Sequence, residues 1–196
     1  MVAGRAAWGD VGGDPIVSHK RNRKIVTPKD EWQTPGWLFD LLDQEFHFQV
    51  DAAALRKNAK CDHYYDPLND ALCGDWYENA KELGIAPTFW LNSPYSAALI
   101  NAFMKKAREE SLKGAIVVCL VPVSGDKWWI DYALKAQEIR YIRGRVKFVG
   151  YDEDGNRVNG SPMFSSCVVI FNRDLSRGYP IIGKTIEQPK KGSVPA

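Results

Sequence analysis

Apolar residues recur at helical spacing in two parts of this chain. Between residues 37 and 46 they fall on one helical face, and the preceding Thr34 and Pro35 are typical of an N-cap and a first helical position. A second apolar face covers residues 99–107, with Ser96 before it as the N-cap. These patterns predict two amphipathic helices that each bury one side.

Runs of consecutive apolar residues alternate with these helices and predict buried strands. The runs are FHFQVD (46–51), TFWLN (88–92), AIVVCLVPV (115–123), EIRYI (138–142), RVKFVG (145–150) and SCVVIF (166–171). Helices that alternate with such strands predict an α/β fold around a mostly parallel sheet. The polar turn DEDGN (152–156) between the last two runs predicts that they form a C-terminal antiparallel hairpin.

The composition fits one folded domain with a tail at each end. The chain has 196 residues, of which 45% are hydrophobic, and this suffices for one sizeable core. Residues 1–29 are rich in Gly, Ala and basic residues without periodicity, which is typical of a flexible arm. Residues 185–196 have the same character, so the folded domain is predicted at 30–184.

Basic residues are clustered, although the net charge is only +2. Strips of Lys and Arg that contain no acid bind phosphate backbones, and an ordinary solvated surface is the alternative interpretation. The candidate DNA contacts are Lys20, Arg21, Arg23 and Lys24 near the N-terminus, and Arg143, Arg145 and Lys147 later in the chain.

Cysteine spacing and hydropathy predict a cytoplasmic protein that holds no metal. The four cysteines form no CxxC pair, and Cys61 with His63 supplies too few ligands at the wrong spacing for zinc. No apolar run is long enough for a membrane span, and the N-terminus lacks the apolar core of a signal peptide.

The strand TFWLN runs directly into the tetrapeptide NSPY (92–95). Ligands of open α/β sheets bind beyond the carboxyl ends of strands, which is where this tetrapeptide falls. The amino group of a nucleobase is a poor nucleophile because its lone pair is delocalised into the ring. Two acceptors would favour a pyramidal nitrogen, and Asn92 supplies one while the Ser93 or Pro94 carbonyl, fixed by proline, supplies the other. Tyr95 is suited to stack on a base that has left the duplex, whereas a plain turn is the alternative.

Seven pieces of the sequence occur in the order found in a known family, so that residues 30 to 171 resemble the phage DNA N6-adenine methyltransferases, the Dam-like group. The pieces are DEWQTP, FQVDAAA with NAKC, DAL with DW, NSPYS, VPV, GRVKF and SPMFSSCVVIF. By this resemblance Asn92, Ser93, Pro94 and Tyr95 take the place of the catalytic (D/N)PPY motif. Ser93 stands where the family usually has proline.

The resemblance also implies a Rossmann-like methyltransferase fold and an S-adenosylmethionine site. VDAAA takes the place of the first cofactor motif, DW that of the acidic–aromatic pair around the cofactor adenine, and TP that of a motif closing over the methionine end. The implied function is methyl transfer to N6 of a flipped-out adenine in double-stranded DNA, in the bacterial host cytoplasm if the protein is phage-encoded. The implied cofactor-binding residues are Thr34, Pro35, Asp51, Ala52, Ala53, Asp75 and Trp76.

Other functions stay open at this point. NSPY would hold any similar amine, including cytosine N4 or an amine in RNA. Ser93 and the absence of glycine from VDAAA also fit a non-catalytic nucleic-acid-binding module with the same fold. A nuclease is disfavoured because the acids clustered between Asp62 and Asp75 do not form a convincing set of metal ligands.

Overall fold

The computed structural model describes residues 32–66, 71–172 and 180–189. The predicted N-terminal arm and the end of the predicted tail lie outside the described residues, as do Lys20, Arg21, Arg23 and Lys24. Within these ranges the helices are α1 (Gly36–Phe46), α2 (Trp76–Glu82), α3 (Ala97–Lys113) and α4 (Lys127–Asp131). The strands are β1 (Val50–Asp51), β2 (His63–Tyr64), β3 (Thr88–Leu91), β4 (Ile116–Pro122), β5 (Glu138–Tyr141), β6 (Phe148–Tyr151), β7 (Arg157–Gly160), β8 (Ser166–Phe171) and β9 (Ile181–Ile182).

Seven of these strands form one mixed sheet in the order β2-β1-β3-β4-β8-β5-β9. Neighbours are parallel from β2 to β4 and between β5 and β9, whereas β8 runs antiparallel to β4 and β5. The predicted α/β fold with a mostly parallel sheet is therefore confirmed. The carboxyl ends of β1, β3 and β4 lie along one edge of the sheet, which we call the carboxyl edge.

The predicted antiparallel hairpin is present, but one of its strands differs from the prediction. Residues 148–151 pair with β7, a strand that the sequence did not predict. SCVVIF instead forms β8, and all six of its residues are buried between two neighbouring strands. Five of the six residues of this strand are apolar, and they bury more apolar surface at the centre of a sheet than in an exposed hairpin, which explains this placement.

Both faces of the main sheet are covered by separate apolar clusters. Phe89 and Leu91 of β3 face the side on which α2, α3 and α4 pack. Trp90 faces the other side, where it meets Phe39 of α1 and Phe48. The alternation within β3 is the period of two expected of a strand, and it buries every residue of this strand because both faces are covered.

The directions of the helices show which residues lie at each edge. His47, just after α1, accepts a hydrogen bond from the Thr88 hydroxyl at the start of β3, so α1 begins at the carboxyl edge. Its N-cap is Pro35 rather than the predicted Thr34, which lies one residue earlier. By the same reasoning α3 starts at the carboxyl edge after β3, and Lys113 at its end lies at the opposite, amino edge before β4.

The first residues of the predicted tail belong to the folded domain. Ile186 is buried in the cluster that contains α1, and it forms a parallel bridge with Ile142. Its amide donates to Tyr141 and its carbonyl accepts from Arg143. Backbone pairing thus holds Ile186 against the domain, and the side-chain amide of Gln188 donates to the carbonyls of Arg143 and Arg145.

Candidate active site

Asn92 follows the last residue of β3 directly and lies at the carboxyl edge. The Tyr95 hydroxyl lies 2.8 Å from the side-chain oxygen of Asn92 and 3.0 Å from the carbonyl oxygen of Leu120 in β4. Burial raises the pKa of Tyr95 well above its usual range, so the hydroxyl keeps its proton. The turn therefore brings the two predicted catalytic side chains into direct contact.

The ring of Tyr95 is held by two aromatic side chains from later in the chain. Phe148 and Phe164 meet it edge to face, with ring centroids 6.5 and 5.6 Å away. Neither residue was assigned a role from the sequence. Phe164 lies within the piece SPMFSSCVVIF, and Phe148 lies within the piece GRVKF. Their position inside two of the seven ordered pieces is the sequence feature that could have pointed to them.

Three buried hydroxyls at this edge have no hydrogen-bond partner among the described residues. They belong to Ser93, which is 4% exposed, Thr34, which is 2% exposed, and Ser166, which pairs with Pro122 at the end of β4 and is 1% exposed. Thr34 is placed here by the start of α1 and by its neighbour Gln33, which forms a backbone bridge with Val149 of the hairpin. A buried hydroxyl without a hydrogen-bond partner costs free energy of folding. Such groups are found where a bound ligand supplies the missing hydrogen bond.

Asp51 ends β1 and is almost fully buried. Its carboxylate accepts the backbone N–H groups of Ala53 at 3.3 Å and Lys60 at 3.0 Å. Desolvation raises the pKa of this carboxyl to about 6, against the lowering effect of these two hydrogen bonds. Ala52 is fully buried and its amide donates to Trp90, so β1 and β3 stay paired up to the predicted cofactor motif.

The structure does not support the predicted role of Asp75 and Trp76. Trp76 is fully buried, its ring packs against Phe89 and Tyr65, and its indole N–H donates to the carbonyl of Ala71. Its ring therefore has no open face for a ligand.

Asp75 caps α2 by accepting from the amide of Glu78 and forms an ion pair with Lys113 at 2.7 Å. Because Lys113 lies at the amino edge, Asp75 is at the opposite end of the sheet from Asn92. The sequence pair DW therefore marks the start of a helix and a core residue.

The predicted basic strip divides into paired and solvent-facing side chains. Arg143 is exposed and forms an ion pair with Glu187 at 2.8 Å. Arg140, the basic residue just before this strip, is held by Glu45 and Glu138. Arg145 and Lys147 are exposed and immediately precede the hairpin.

A cleft of about 690 Å³ opens beside Tyr95 at the carboxyl ends of β3 and β4. Its walls come from the first turns of α3 and α4 and from the segment after β4, and they include Asn101, Ser124, Lys127 and Trp128. Asn92 does not line it. No sequence motif pointed to these residues, because the cleft arises from the meeting of two helix starts that are about 30 residues apart in the chain.

None of the helices in the described part of the chain combines the length and apolar character needed to cross a membrane. Within residues 32–66, 71–172 and 180–189, no three His, Cys, Asp or Glu side chains converge as metal ligands would.

A mixed α/β sheet with Asn-Ser-Pro-Tyr at its carboxyl edge, and a buried carboxylate on the adjacent strand, is the arrangement of an amino-group methyltransferase. Comparison with known proteins agrees with this class. The family model described as DNA N-6-adenine-methyltransferase (Dam) matches residues 21–193, and the chain belongs to this family.

Two relatives carry the same description. The DNA N-6-adenine-methyltransferase of Haemophilus phage HP1 (strain HP1c1) is 33% identical over 135 residues, which is 66% of this chain and 72% of the relative. The DNA N-6-adenine-methyltransferase of Escherichia phage T1 is 28% identical over 182 residues, which is 83% of this chain and 71% of the relative.

Proposed function

We propose that this protein transfers a methyl group from S-adenosylmethionine to N6 of an adenine flipped out of double-stranded DNA. The observation that carries the proposal is the contact between Asn92 and Tyr95 at the carboxyl edge, in the tetrapeptide that matches the family's catalytic motif. The names of the two phage relatives support adenine N6 as the acceptor. The sheet order, with one antiparallel strand in an otherwise parallel arrangement, supports a Rossmann-like methyltransferase fold.

Hydrogen bonding and position would activate the acceptor amine. The side-chain oxygen of Asn92 and the carbonyl of Ser93 or Pro94 would accept its two hydrogens and favour a pyramidal nitrogen. The ring of Tyr95 would contact the face of the adenine. This chemistry needs no strongly shifted base, because it depends on acceptors that are already in place when the amine arrives.

The buried polar groups at the carboxyl edge fit S-adenosylmethionine. Asp51 uses two of about four carboxylate lone-pair sites for backbone N–H groups, which leaves acceptor capacity for an amino or ribose group. The hydroxyls of Thr34 and Ser93 have no partner among the described residues, and both are suited to polar groups of the cofactor. Pro35, Ala52 and Ala53 complete the proposed site as small or rigid neighbours. When bound, the cofactor supplies an electrophilic methyl group on sulfur.

Duplex DNA would lie across the carboxyl edge next to the hairpin. Arg145 and Lys147 are the described side chains best placed to contact phosphates, whereas Arg143 would first have to leave Glu187. The hairpin tip at residues 153–157 is exposed and is held in one shape by Asp152, so we assign it to base contacts. The cleft beside Tyr95 has a volume in the usual range for ligand sites, about 300–1,000 Å³, and adjoins this surface.

The test is transfer of label from S-adenosyl-[methyl-³H]methionine to unmethylated duplex DNA, followed by digestion and separation of the nucleosides. Label in N6-methyldeoxyadenosine supports the proposal. Label in N4-methyldeoxycytidine, or label in RNA and not in DNA when RNA is offered as the substrate, would replace it with the corresponding methyltransferase. Cofactor binding by calorimetry without any transfer would indicate a non-catalytic module, and so would the absence of cofactor binding.

A further inference from the structure

The hydroxyl of Tyr95 has two acceptors within hydrogen-bond distance but only one proton. Asn92 Oδ1 lies 2.8 Å away and the Leu120 carbonyl oxygen 3.0 Å away. A tyrosine hydroxyl donates one hydrogen bond at a time, so the two acceptors compete for it. Stacking on a base uses only the ring, which leaves this hydroxyl without a role in the proposed function.

We propose that the Tyr95 hydroxyl is a positioning group for Asn92, an inference that rests on the proposed function. In the free protein it holds the side-chain oxygen of Asn92 in place. When the target amine arrives and donates to that oxygen, the hydroxyl transfers its hydrogen bond to the Leu120 carbonyl. The Asn92 oxygen then accepts from the target amine, and the Leu120 carbonyl oxygen accepts from the Tyr95 hydroxyl, so each oxygen has its own donor. The Asn92 amide keeps the same orientation before and after the amine binds.

Asn92 needs such a partner because a primary amide has two ends of similar size and opposite hydrogen-bonding character. Rotation of the Asn92 amide by 180° would put its NH₂ group where its oxygen should be. The NH₂ group of Asn92 and the N–H groups of the target amine would then be donors that face each other, and no hydrogen bond could form between them. The hydroxyl can select the correct end only if it does not move. Its ring is fixed by Phe148 and Phe164, and Leu120 is fully buried in the longest strand of the sheet.

The direct test is Tyr95→Phe, which keeps the ring and removes the hydroxyl. We expect kcat to fall about tenfold, the scale of one hydrogen bond, while KM for DNA and the dissociation constant of the cofactor stay unchanged. Tyr77→Phe is the matched control, because the backbone N–H of Tyr77 donates to Glu110 near the end of α3 at the amino edge, and it should leave kcat unchanged. A merely structural role of the hydroxyl would lower the melting temperature and the amount of active protein without lowering kcat per active site.

Asn92→Asp provides the second test, because both ends of a carboxylate are acceptors and no orientation has to be selected. Tyr95→Phe should therefore cost less than about twofold in the Asn92→Asp background, so that the double-mutant cycle shows strong coupling. An equal loss in both backgrounds would overturn the inference, as would an unchanged kcat of Tyr95→Phe or an inactive Asn92→Asp protein. An active wild type with such results would leave the proposed function intact, whereas a wild type that methylates nothing would overturn both.

Discussion

The carboxylate of Asp51 accepts the backbone N–H of Lys60, nine residues later, at 3.0 Å. This bond folds the segment after β1 back over the end of the strand and keeps the carboxyl almost completely buried. The acid is thereby held at the carboxyl edge by the same loop that shields it from water. Because burial outweighs the hydrogen bonds, the pKa of Asp51 is raised to about 6.

The stability of the protein should therefore depend on pH through Asp51. A carboxyl whose pKa is higher in the folded than in the unfolded protein binds more protons when folded between about pH 4 and 6, so its contribution falls as the pH rises through that window. We expect the unfolding free energy of wild type, relative to Asp51→Asn, to decrease by about 2 kcal/mol from pH 4.5 to 7.5. Urea unfolding of both proteins at the two pH values measures this difference. A difference that is the same at both pH values would show that burial of Asp51 does not control its ionisation.

Ser93 offers a way to separate stability from ligand binding. Its buried hydroxyl has no partner among the described residues, so Ser93→Ala should leave the unfolding free energy unchanged or raise it by up to about 1 kcal/mol. If the cofactor forms a hydrogen bond with the Ser93 hydroxyl, the same variant should bind S-adenosylmethionine several-fold more weakly, as measured by calorimetry.

Ser111→Ala is the matched control for Ser93→Ala. The Ser111 hydroxyl is also in a buried residue, but it donates to the Arg108 carbonyl at 2.7 Å within α3. That variant should lose about 1 kcal/mol of stability and keep its cofactor affinity. Unchanged affinity in Ser93→Ala would remove this hydroxyl from the proposed cofactor site.

The sequence predicted those features that a local pattern or an ordered set of motifs can carry. The apolar runs of β3 and β4, the helical face of α3 and the position of NSPY after β3 all follow from residues close together in the chain. Family membership followed from the order of seven pieces, which single motifs would not have supported. The predicted roles of Asn92 and its neighbours stay predictions.

The features that were missed depend on partners far away in the chain. The strand β2 has only two residues, which is too short to show a period. The placement of β8 inside the sheet depends on β4 and β5, which SCVVIF does not reveal by itself. Trp76 follows an acid in the manner of a ligand-binding pair, and only the packing around it shows that its ring faces the core.

Glu110 should be a main determinant of stability away from the site. It is fully buried, accepts the backbone N–H of Tyr77 at 2.9 Å, and pairs with Lys106 and Lys113. Removing one member of a buried charged network leaves the others uncompensated, so Glu110→Ala should cost about 3 kcal/mol in urea unfolding.

The adjacent Glu109 provides the control for Glu110→Ala, because it is exposed on the same helix and lies 3.7 Å from Lys105. Glu109→Ala should change stability by less than about 0.5 kcal/mol. The activity per folded molecule should stay unchanged in both variants, because Glu110 lies near the amino edge. Similar losses of stability in the two variants would contradict the importance of the buried network.

Arg145 and Lys147 should contribute to DNA affinity through phosphates. Replacing either with Gln should weaken binding to DNA of any sequence and reduce the slope of log affinity against log salt concentration by about 1. Lys81→Gln is the control, because Lys81 is an exposed cation on α2 that pairs with Glu78 far from the carboxyl edge. Fluorescence anisotropy at several salt concentrations measures the slopes. Unchanged slopes for Arg145 and Lys147 would place the DNA on another surface.

Asn92→Ala tests the acceptor on which the proposed chemistry depends. The variant keeps the turn and the ring of Tyr95 but loses the side-chain oxygen directed at the target amine. Loss of one hydrogen-bonding group that acts in the transition state lowers kcat by about 100-fold or more, and this is the loss we expect in the tritium-transfer assay. Cofactor affinity should stay near normal, because Asn92 is assigned to the acceptor amine and not to the cofactor.

Asn79→Ala is the matched control for this variant. Its amide donates to the Tyr65 hydroxyl at 2.8 Å from α2, so its loss should reduce stability without lowering kcat. If Asn92→Ala turned over as fast as wild type, the amine would have to be held by other acceptors. The other acceptors assigned to this turn are the Ser93 and Pro94 carbonyls. That result would therefore mean that these backbone carbonyls activate the target amine without the side chain of Asn92.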